Sequence, residues 1–343
     1  MSLLYQFVKW SGRIAMPLYF GRIEVNGREN IPTDQPYILA PNHQAAFLDA
    51  LIVGIQNGPE VSFLTRSDVF VDPFKPILRA LNMMPVYRIR DGYDKLKLND
   101  EVFARCQRLL SMGKTVLIFP EGNMGEGHHL RPLTKGTARM AFTAQSDLAK
   151  DLFIIPVGIN YFHHWHPLHK LTLNYGAPIR VRDFADLYDA NKAKGLITLR
   201  DTMHTAIAKL LIIPERTPSY EDQVHVFGRR YEALPFSEVR NVASYPQSLQ
   251  PEPYYKWLTP MVWLFEVPNL PVIYIIRSVI RRMQDDLFAG SLKYVLSLVL
   301  FPIWWLIVLV VTSVSYGIYL GICITLLAAA SLFVSQLIKK WVR

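Results

Sequence analysis

The residues of this chain best suited to chemistry lie in the block Asn42-His43-Gln44-Ala45-Ala46-Phe47-Leu48-Asp49. A neutral imidazole is a good general base near physiological pH, and a carboxylate beside it can fix its tautomer and stabilise the imidazolium. No Ser or Cys lies in the block to act as the nucleophile of a triad. The pair therefore suits activation of a substrate hydroxyl without a covalent enzyme intermediate. Asp49 has a second reading, because it precedes the apolar run Ala50–Val53 and could be a helix N-cap. Five residues separate His43 from Asp49, whereas helical residues share a face three or four positions apart. The two side chains can meet only if His43 stands in a loop ahead of the helix.

Three further pieces carry chemical potential. In Met84-Pro85-Val86-Tyr87-Arg88-Ile89-Arg90 the two arginines alternate, so on an extended strand they point the same way. Guanidinium is well shaped for bidentate contact with phosphate, although an isolated Arg pair also suits a solvated edge strand. Phe119-Pro120-Glu121-Gly122 ends an apolar run, and its Pro and Gly force a turn at a strand's C-terminal end, where open α/β sheets place ligands. The loop after it holds Gly125, Gly127, His128, His129, Arg131 and Lys135, and Gly136 stands before a helix, a position suited to anions. The fourth piece, Ile155-Pro156-Val157-Gly158, is by itself only a strand end. No G-x-x-x-x-G-K-[ST] occurs, which leaves a Walker-type nucleotide site unsupported. His163, His164, His166 and His169 have metal-like spacing but lack an acidic or thiol partner, so no metal is expected.

In order and spacing these four pieces resemble the glycerolipid acyltransferase superfamily, the PlsC-type domain of glycerol-3-phosphate and lysophosphatidate acyltransferases. Its N-H-x-x-x-x-D block corresponds to Asn42, His43 and Asp49, its Pro-Val-x-Arg block to Pro85, Val86 and Arg88, and its F-P-E-G block to Phe119–Gly122. Ile155-Pro156 matches the hydrophobic-Pro block, and Leu133-Thr134-Lys135-Gly136 the basic-Gly step. The resemblance covers about residues 15–215 and implies a mixed sheet flanked by helices. It also implies His43 and Asp49 as the catalytic pair, with Arg88, Arg90, Glu121, Gly122 and Lys135 around the acceptor and its phosphate. No cofactor is implied; acyl-CoA or an acyl-carrier protein would be the donor substrate. The family block has four residues between His and Asp, one fewer than here. A longer gap is similar to a branch of fungal-type glycerol-3-phosphate and dihydroxyacetone-phosphate acyltransferases, which inclines the expected acceptor towards glycerol 3-phosphate over lysophosphatidate. A non-catalytic lipid-binding scaffold would not need His43, Asp49, Arg88 and Glu121 together.

The elements that must position these residues alternate along the chain from Pro36 to about Ile213, as in an α/β domain. Strands are predicted at Tyr37–Ala40, Val61–Thr65, Thr115–Phe119, Phe153–Ile159 and Leu171–Tyr175. Helices are predicted at Ala50–Gln56, Lys75–Leu81, Tyr93–Ser111, Thr137–Ala144 and Ile197–Leu211. The expected organisation is an interfacial amphipathic helix over 1–20, the α/β domain over 21–215, and a connector over 216–290. A transmembrane hairpin completes it over 291–343.

That hairpin rests on Tyr294–Ile338, which contains no Asp, Glu, Lys, Arg or His. At about 1.5 Å per residue one helix of that length would be ~68 Å long, too long for one crossing and right for two. Spans are predicted near Val295–Thr312 and Ile318–Leu337, turning at Ser313, Ser315 and Gly317. Residues 257–276 are apolar too, but Glu266, Pro268 and Pro271 make an interfacial or re-entrant segment the expectation there. The chain's net charge is +9. Arg277, Arg281, Arg282, Lys293, Lys339, Lys340 and Arg343 flank the spans against only Asp285 and Asp286. That placement suggests anionic lipid and not nucleic acid, and puts both hairpin ends and the main domain on the cytoplasmic face. Two uncharged spans offer no polar path for a transporter. With Cys106 and Cys323 as the only cysteines, no disulfide framework is expected.

Overall fold

The computed structural model describes residues 2–58, 60–88, 91–125, 127–163, 166–241, 255–283 and 288–342. The chain divides into two compact units. The first comprises Met1–Pro17, Arg22–Phe162 and Lys170–Ala243, and the second Leu18–Gly21, His163–His169 and Ser244–Arg343. Arg90 and His164 fall outside the described residues, as do Asp285 and Asp286.

The first unit begins with helix α1 (Leu3–Tyr19), up to Pro17, and strands β1 (Arg22–Asn26) and β2 (Tyr37–Pro41). It continues through α2 (Ala46–Gln56), β3 (Val61–Arg66), α3 (Lys75–Ala80), β4 (Met83–Val86), α4 (Leu98–Ser111), β5 (Thr115–Leu117) and α5 (Gly136–Gln145). Then come β6 (Phe153–Asn160), β7 (Lys170–Tyr175), β8 (Ile179–Arg180), α6 (Ala185–Ala190), α7 (Lys192–Ala208), α8 (Tyr220–Ala233) and α9 (Phe236–Asn241). The strands form one mixed sheet in the order β1-β7-β6-β2-β5-β3-β4, with β8 beside β6. Only the pairings of β6 with β7 and β8 are antiparallel. β2 lies between β5 and β6, parallel to both, with Ile38 opposite Val116 and Ile154.

Strand side chains alternate between faces, and the burial follows. Ile38, Val116 and Ile154 join a core with Phe103 and Cys106 of α4, Met140 of α5, and Leu199, Met203 and Ile207 of α7. On the other face α2 buries Leu48, Ile52 and Val53. It approaches β3 so closely that a Cβ on Gly54 would stand 2.6 Å from the Phe63 ring. The expected strands and helices are present, with shifted ends. Pairing of β5 stops at Leu117 rather than Phe119, and α2 starts at Ala46 rather than Ala50. β1 and β8 carry no strong apolar signal in the sequence; their neighbours in the sheet recruit them.

In the second unit lie α10 (Thr259–Glu266), α11 (Leu270–Arg281), α12 (Ala289–Tyr316) and α13 (Ile318–Val342). Three described stretches are long and apolar enough to cross a membrane by length and composition: Lys256–Arg281, α12 and Ile318–Lys340. The first adds to the two spans expected from the sequence. Its prolines do not break it, because Pro268 and Pro271 each sit in the first turn of a helical segment, where amides lack intrahelical acceptors anyway. Glu266 is buried but paired, accepting from Arg277 (2.9 Å) and Lys339. α12 and α13 form a hairpin joined at Gly317, whose φ of +90° suits glycine.

The stretch Lys256–Arg281 is nevertheless bent. Eleven residues of straight helix would hold Glu266 and Arg277 about 16 Å apart, beyond the reach of the two side chains. The bend is the 3₁₀ turn Val267–Asn269. Its Asn269 donates to the Ala328 carbonyl (2.8 Å) and accepts from Trp305 Nε1 (3.0 Å), midway along α13 and α12. Beyond the turn, α11 packs Val272, Ile273, Ile276 and Ile280 with Leu296, Leu300, Phe301, Trp304 and Trp305 of α12. Leu332 of α13 joins the same cluster, and its described members on α12 reach no further than Trp305, so α11 lies along the first part of α12. The Glu266–Lys339 pair likewise ties the end of α10 to the last turn of α13.

Candidate active site

Because β2, β5 and β6 are parallel neighbours, the segments after their C-terminal ends emerge side by side. Asn42 clamps the first of them: its amide donates to the Ile159 carbonyl (3.1 Å) and its oxygen accepts from the Ile159 N–H (2.7 Å). His43 follows in the loop before α2, with Nδ1 2.9 Å from Asp49 Oδ2. Asp49 is therefore inside the first turn of α2 and is not its N-cap; that position belongs to Ala45. Its carboxylate nonetheless reaches back to the loop, accepting from the N–H groups of Gln44 (2.7 Å) and Ala45 (2.8 Å). Ala46, at φ +43°, absorbs the additional residue of the His-to-Asp gap in a left-handed conformation that side chains rarely adopt.

Asp49 is fully buried, and its other oxygen accepts from the Tyr161 hydroxyl. Burial first, then the Asp49 charge and this hydrogen bond, push the Tyr161 phenol well above its ordinary range, so it stays a donor. An ionised carboxylate is an acceptor only, which assigns the His43 proton to Nδ1. Among the described residues Nε2 has no hydrogen-bond partner, and it is the basic nitrogen. The ring stacks on Phe119, with centroids 3.8 Å apart and planes at 14°. The early end of β5 pairing is what frees Phe119 for this contact.

Glu121 occupies a different place from the one expected of an acceptor-binding residue. Its side chain is 2% exposed. One oxygen accepts from the His43 N–H (2.6 Å), and the other from Nε (2.7 Å) and N–H (3.2 Å) of Arg131. Arg131 in turn donates to the His43 and Asn123 carbonyls. Burial pushes the Glu121 carboxyl up, against the pull of Arg131. Both Glu121 oxygens are thus engaged in bracing the loop that carries His43. Gly122 makes the turn possible at φ +69°, and a Cβ there would stand 2.9 Å from Thr134 Cγ2. Thr134 closes the turn by donating its N–H to the Pro120 carbonyl (2.8 Å).

The basic residues are less convergent than the sequence implies. Arg88, just past β4, pairs with Asp91 (3.2 Å) and Asp68 (3.1 Å). Burial would raise the Asp91 carboxyl, but hydrogen bonds from the Arg88 side chain, the Arg88 N–H and Ser67 outweigh it and hold it at about 2. Much of the Arg88 charge is therefore spent within the protein. Lys135 is exposed, immediately before α5. Rings of His163 and His169 lie 4.6 Å apart; among the described residues no three His, Cys, Asp or Glu side chains converge as a metal site would require.

Sequence reasoning missed Tyr161 and the role of Arg131. The available signal for Tyr161 was its place one residue beyond a strand parallel to β2, at the edge where ligands bind. Tyr161→Phe should keep the ring's packing and lose one hydrogen bond to a charged group, worth about 1.5–3 kcal/mol. The expected result is a roughly tenfold or greater fall in kcat with both KM values unchanged. Wild-type kcat in that variant would show that the Tyr161 hydroxyl does not support the His43–Asp49 pair.

A family model described as Acyltransferase matches residues 22–160. The chain is 30% identical over 129 residues to human 1-acyl-sn-glycerol-3-phosphate acyltransferase alpha, covering 37% of this chain and 44% of that protein. It is 28% identical over 204 residues to glycerol-3-phosphate O-acyltransferase 2 of Saccharomyces cerevisiae, covering 57% of this chain and 26% of that protein. The crystal structure of PlsC, the 1-acyl-sn-glycerophosphate acyltransferase of Thermotoga maritima, aligns with a TM-score of 0.44 and 20% identity over 61% of this chain and 78% of that one. The chain spans less than half the length of either curated relative. The His43–Asp49 pair, the Phe119–Gly122 turn and the strand that carries each all lie within residues 22–160, the stretch that matches the Acyltransferase family model.

Proposed function

We propose that this protein is a membrane-bound O-acyltransferase that acylates glycerol 3-phosphate, or dihydroxyacetone phosphate, on the way to phosphatidic acid. The observation that carries the reading is the His43–Asp49 contact at 2.9 Å, with Nε2 left uncommitted. In this mechanism Nε2 takes the proton of the acceptor hydroxyl as its oxygen attacks the thioester carbonyl of acyl-CoA or an acyl-carrier protein. The carbon–sulfur bond breaks, and the leaving thiolate recovers the proton from the imidazolium. Asp49 stabilises the imidazolium, and Tyr161 with the loop amides keeps that carboxylate in place. The glycerol-3-phosphate relative aligns over a longer part of the chain than the lysophosphatidate relative, which favours the smaller acceptor; lysophosphatidate acylation is the second reading. A transfer assay on the purified protein with glycerol 3-phosphate, dihydroxyacetone phosphate and lysophosphatidate separates them. Preference for lysophosphatidate would replace the first reading, and inactivity on all three would sink both.

The same reading gives the chain a membrane topology. α12 and α13 cross the bilayer, while Lys256–Arg281 enters to the Val267–Asn269 turn and leaves on the side it entered. At that turn Trp304 donates to the Pro268 carbonyl (3.0 Å), one of the partners that a bend in lipid needs. Arg277, Arg281, Arg282, Lys293, Lys339 and Lys340 then share one side, the cytoplasmic one by the positive-inside rule, and the α/β domain enters from it. α1 lies in the interface, with Leu3, Phe7, Trp10 and Ile14 exposed as one stripe. Single cysteines placed at Lys256 and Met283 of a Cys323→Ser chain should label from the same side, and one at Tyr319 from the opposite side. Labelling of Lys256 and Met283 from opposite sides would make the bent stretch a third crossing.

A further inference from the structure

In the sheet order β2-β5-β3-β4 the connections from β2 to β3 and from β3 to β4 step the same way. Right-handed crossovers therefore put α2 and α3 on one face, and Tyr5 and Val8 of α1 line a single apolar groove there with Phe47, Leu51, Leu81 and Met83. The chain bonds in helical fashion well before α3 begins. Lys75 N–H donates to the Val71 carbonyl (3.2 Å), Leu78 to Phe74 (3.0 Å) and Leu81 to Ile77 (3.0 Å). Val71, Phe74 and Ile77 stand three apart, so they lie on one side of these turns, and each is between 49% and 55% exposed. Scattered exposed apolar residues are ordinary, but a row of three on one helical side is not.

The row continues a second one. Ser2 Oγ donates to the Ala80 carbonyl, which seats the start of α1 on the end of α3. The exposed stripe of Leu3, Phe7, Trp10 and Ile14 therefore starts beside Ile77. The charges around both rows say what covers them. Residues 3–19 hold Lys9 and Arg13 and no acidic residue, and residues 71–81 hold Lys75 and Arg79 against Asp72 alone. Asp72 meets Lys75 at 3.3 Å between exposed side chains, a pair worth little. The patch is thus apolar with a basic rim, which is the pattern of a surface that meets anionic lipid. A second copy seated on the same patch would set like charges against each other.

We propose that Val71, Phe74 and Ile77 are a second point at which the α/β domain enters the bilayer interface, alongside α1. One interfacial helix leaves a domain free to roll about the helix axis, and a contact to its side removes that freedom. The same contact keeps Ser67 and Asp68, which hold Asp91 and Arg88, within a few residues of the lipid surface. The proposal rests on the interfacial reading of α1 and is independent of which acceptor is acylated. The test uses the full chain with Cys323→Ser and one of Phe7→Cys, Phe74→Cys, Ile77→Cys or Met112→Cys, labelled with the environment-sensitive fluorophore NBD. Cys106 is buried and should not react. Met112 is exposed at the end of α4, which packs on the other face of the sheet. The proteins are reconstituted in equimolar phosphatidylcholine and phosphatidylglycerol, with and without bromine on the lipid tails. Labels at Phe7, Phe74 and Ile77 should be quenched severalfold more by brominated lipid than the label at Met112. Quenching at Phe7 with none at Phe74 and Ile77 would leave α1 in the interface and overturn the second contact. No quenching at any of the three would overturn it together with the reading of α1. Blue-shifted but unquenched labels at Phe74 and Ile77 would mean that protein covers the patch, and would overturn it as well.

Discussion

His43→Ala should lower kcat by roughly a hundred- to ten-thousandfold, the usual contribution of a positioned general base. It should do so with little change in folding, because the loop is held by the backbone of His43 and not by its ring. The His43 N–H donates to Glu121 and its carbonyl accepts from Arg131, and alanine retains both groups. Asp49 would keep the Gln44 and Ala45 amides and the Tyr161 hydroxyl as donors. What disappears is the imidazole stacked on Phe119, the side chain that takes the proton of the acceptor hydroxyl in this mechanism. Transfer rate and membrane insertion should be measured together. Normal insertion with a lost rate supports the base, whereas a rate within severalfold of wild type would remove His43 from the chemistry.

Glu121→Ala should act mainly on stability. It strands Arg131, which is 23% exposed, and leaves the His43 N–H without its acceptor. Breaking a largely buried ion pair from one side costs about 3–5 kcal/mol, and a domain of this size should lose on the order of 10 °C in thermal midpoint. Rate should fall as well, because the loop that carries His43 loses its brace. A double variant, Glu121→Gln with Arg131→Met, removes the stranded charge and should recover much of the midpoint. If Glu121 instead binds the acceptor's second hydroxyl, Glu121→Ala will melt like wild type and show only a raised acceptor KM. The two outcomes cannot be confused.

The turn Phe119–Gly122 shows why a motif tells less about roles than about places. A carboxylate at the end of a strand reads equally well as a substrate contact or as an internal brace. Arg131 decides between them, and it is ten residues away in a loop whose path depends on Thr134 and Leu130 finding the Pro120 and Pro214 carbonyls. Arg88 is the converse case: spacing makes it a phosphate ligand, and Asp68, from a different connection, takes up part of its charge. Neither partner could be paired with its arginine by local periodicity.

By itself the sequence determined the alternation of strands and helices, the apolar hairpin, and the ends of strands at which chemistry had to occur. These follow from local patterns: side-chain period, the length of an uncharged run, and Pro or Gly at a turn. Only the tertiary structure decided that Asp49 faces His43 across a gap of five residues, since this needs Ala46 at a positive φ. It likewise decided that Tyr161 backs the pair and that Glu266 is neutralised where α11 turns back. The last two depend on side chains far apart along the chain, Tyr161 with Asp49 and Lys339 with Glu266, meeting where water is excluded. A buried polar group there must find whatever partner the packing brings, and no local pattern records which partner that will be.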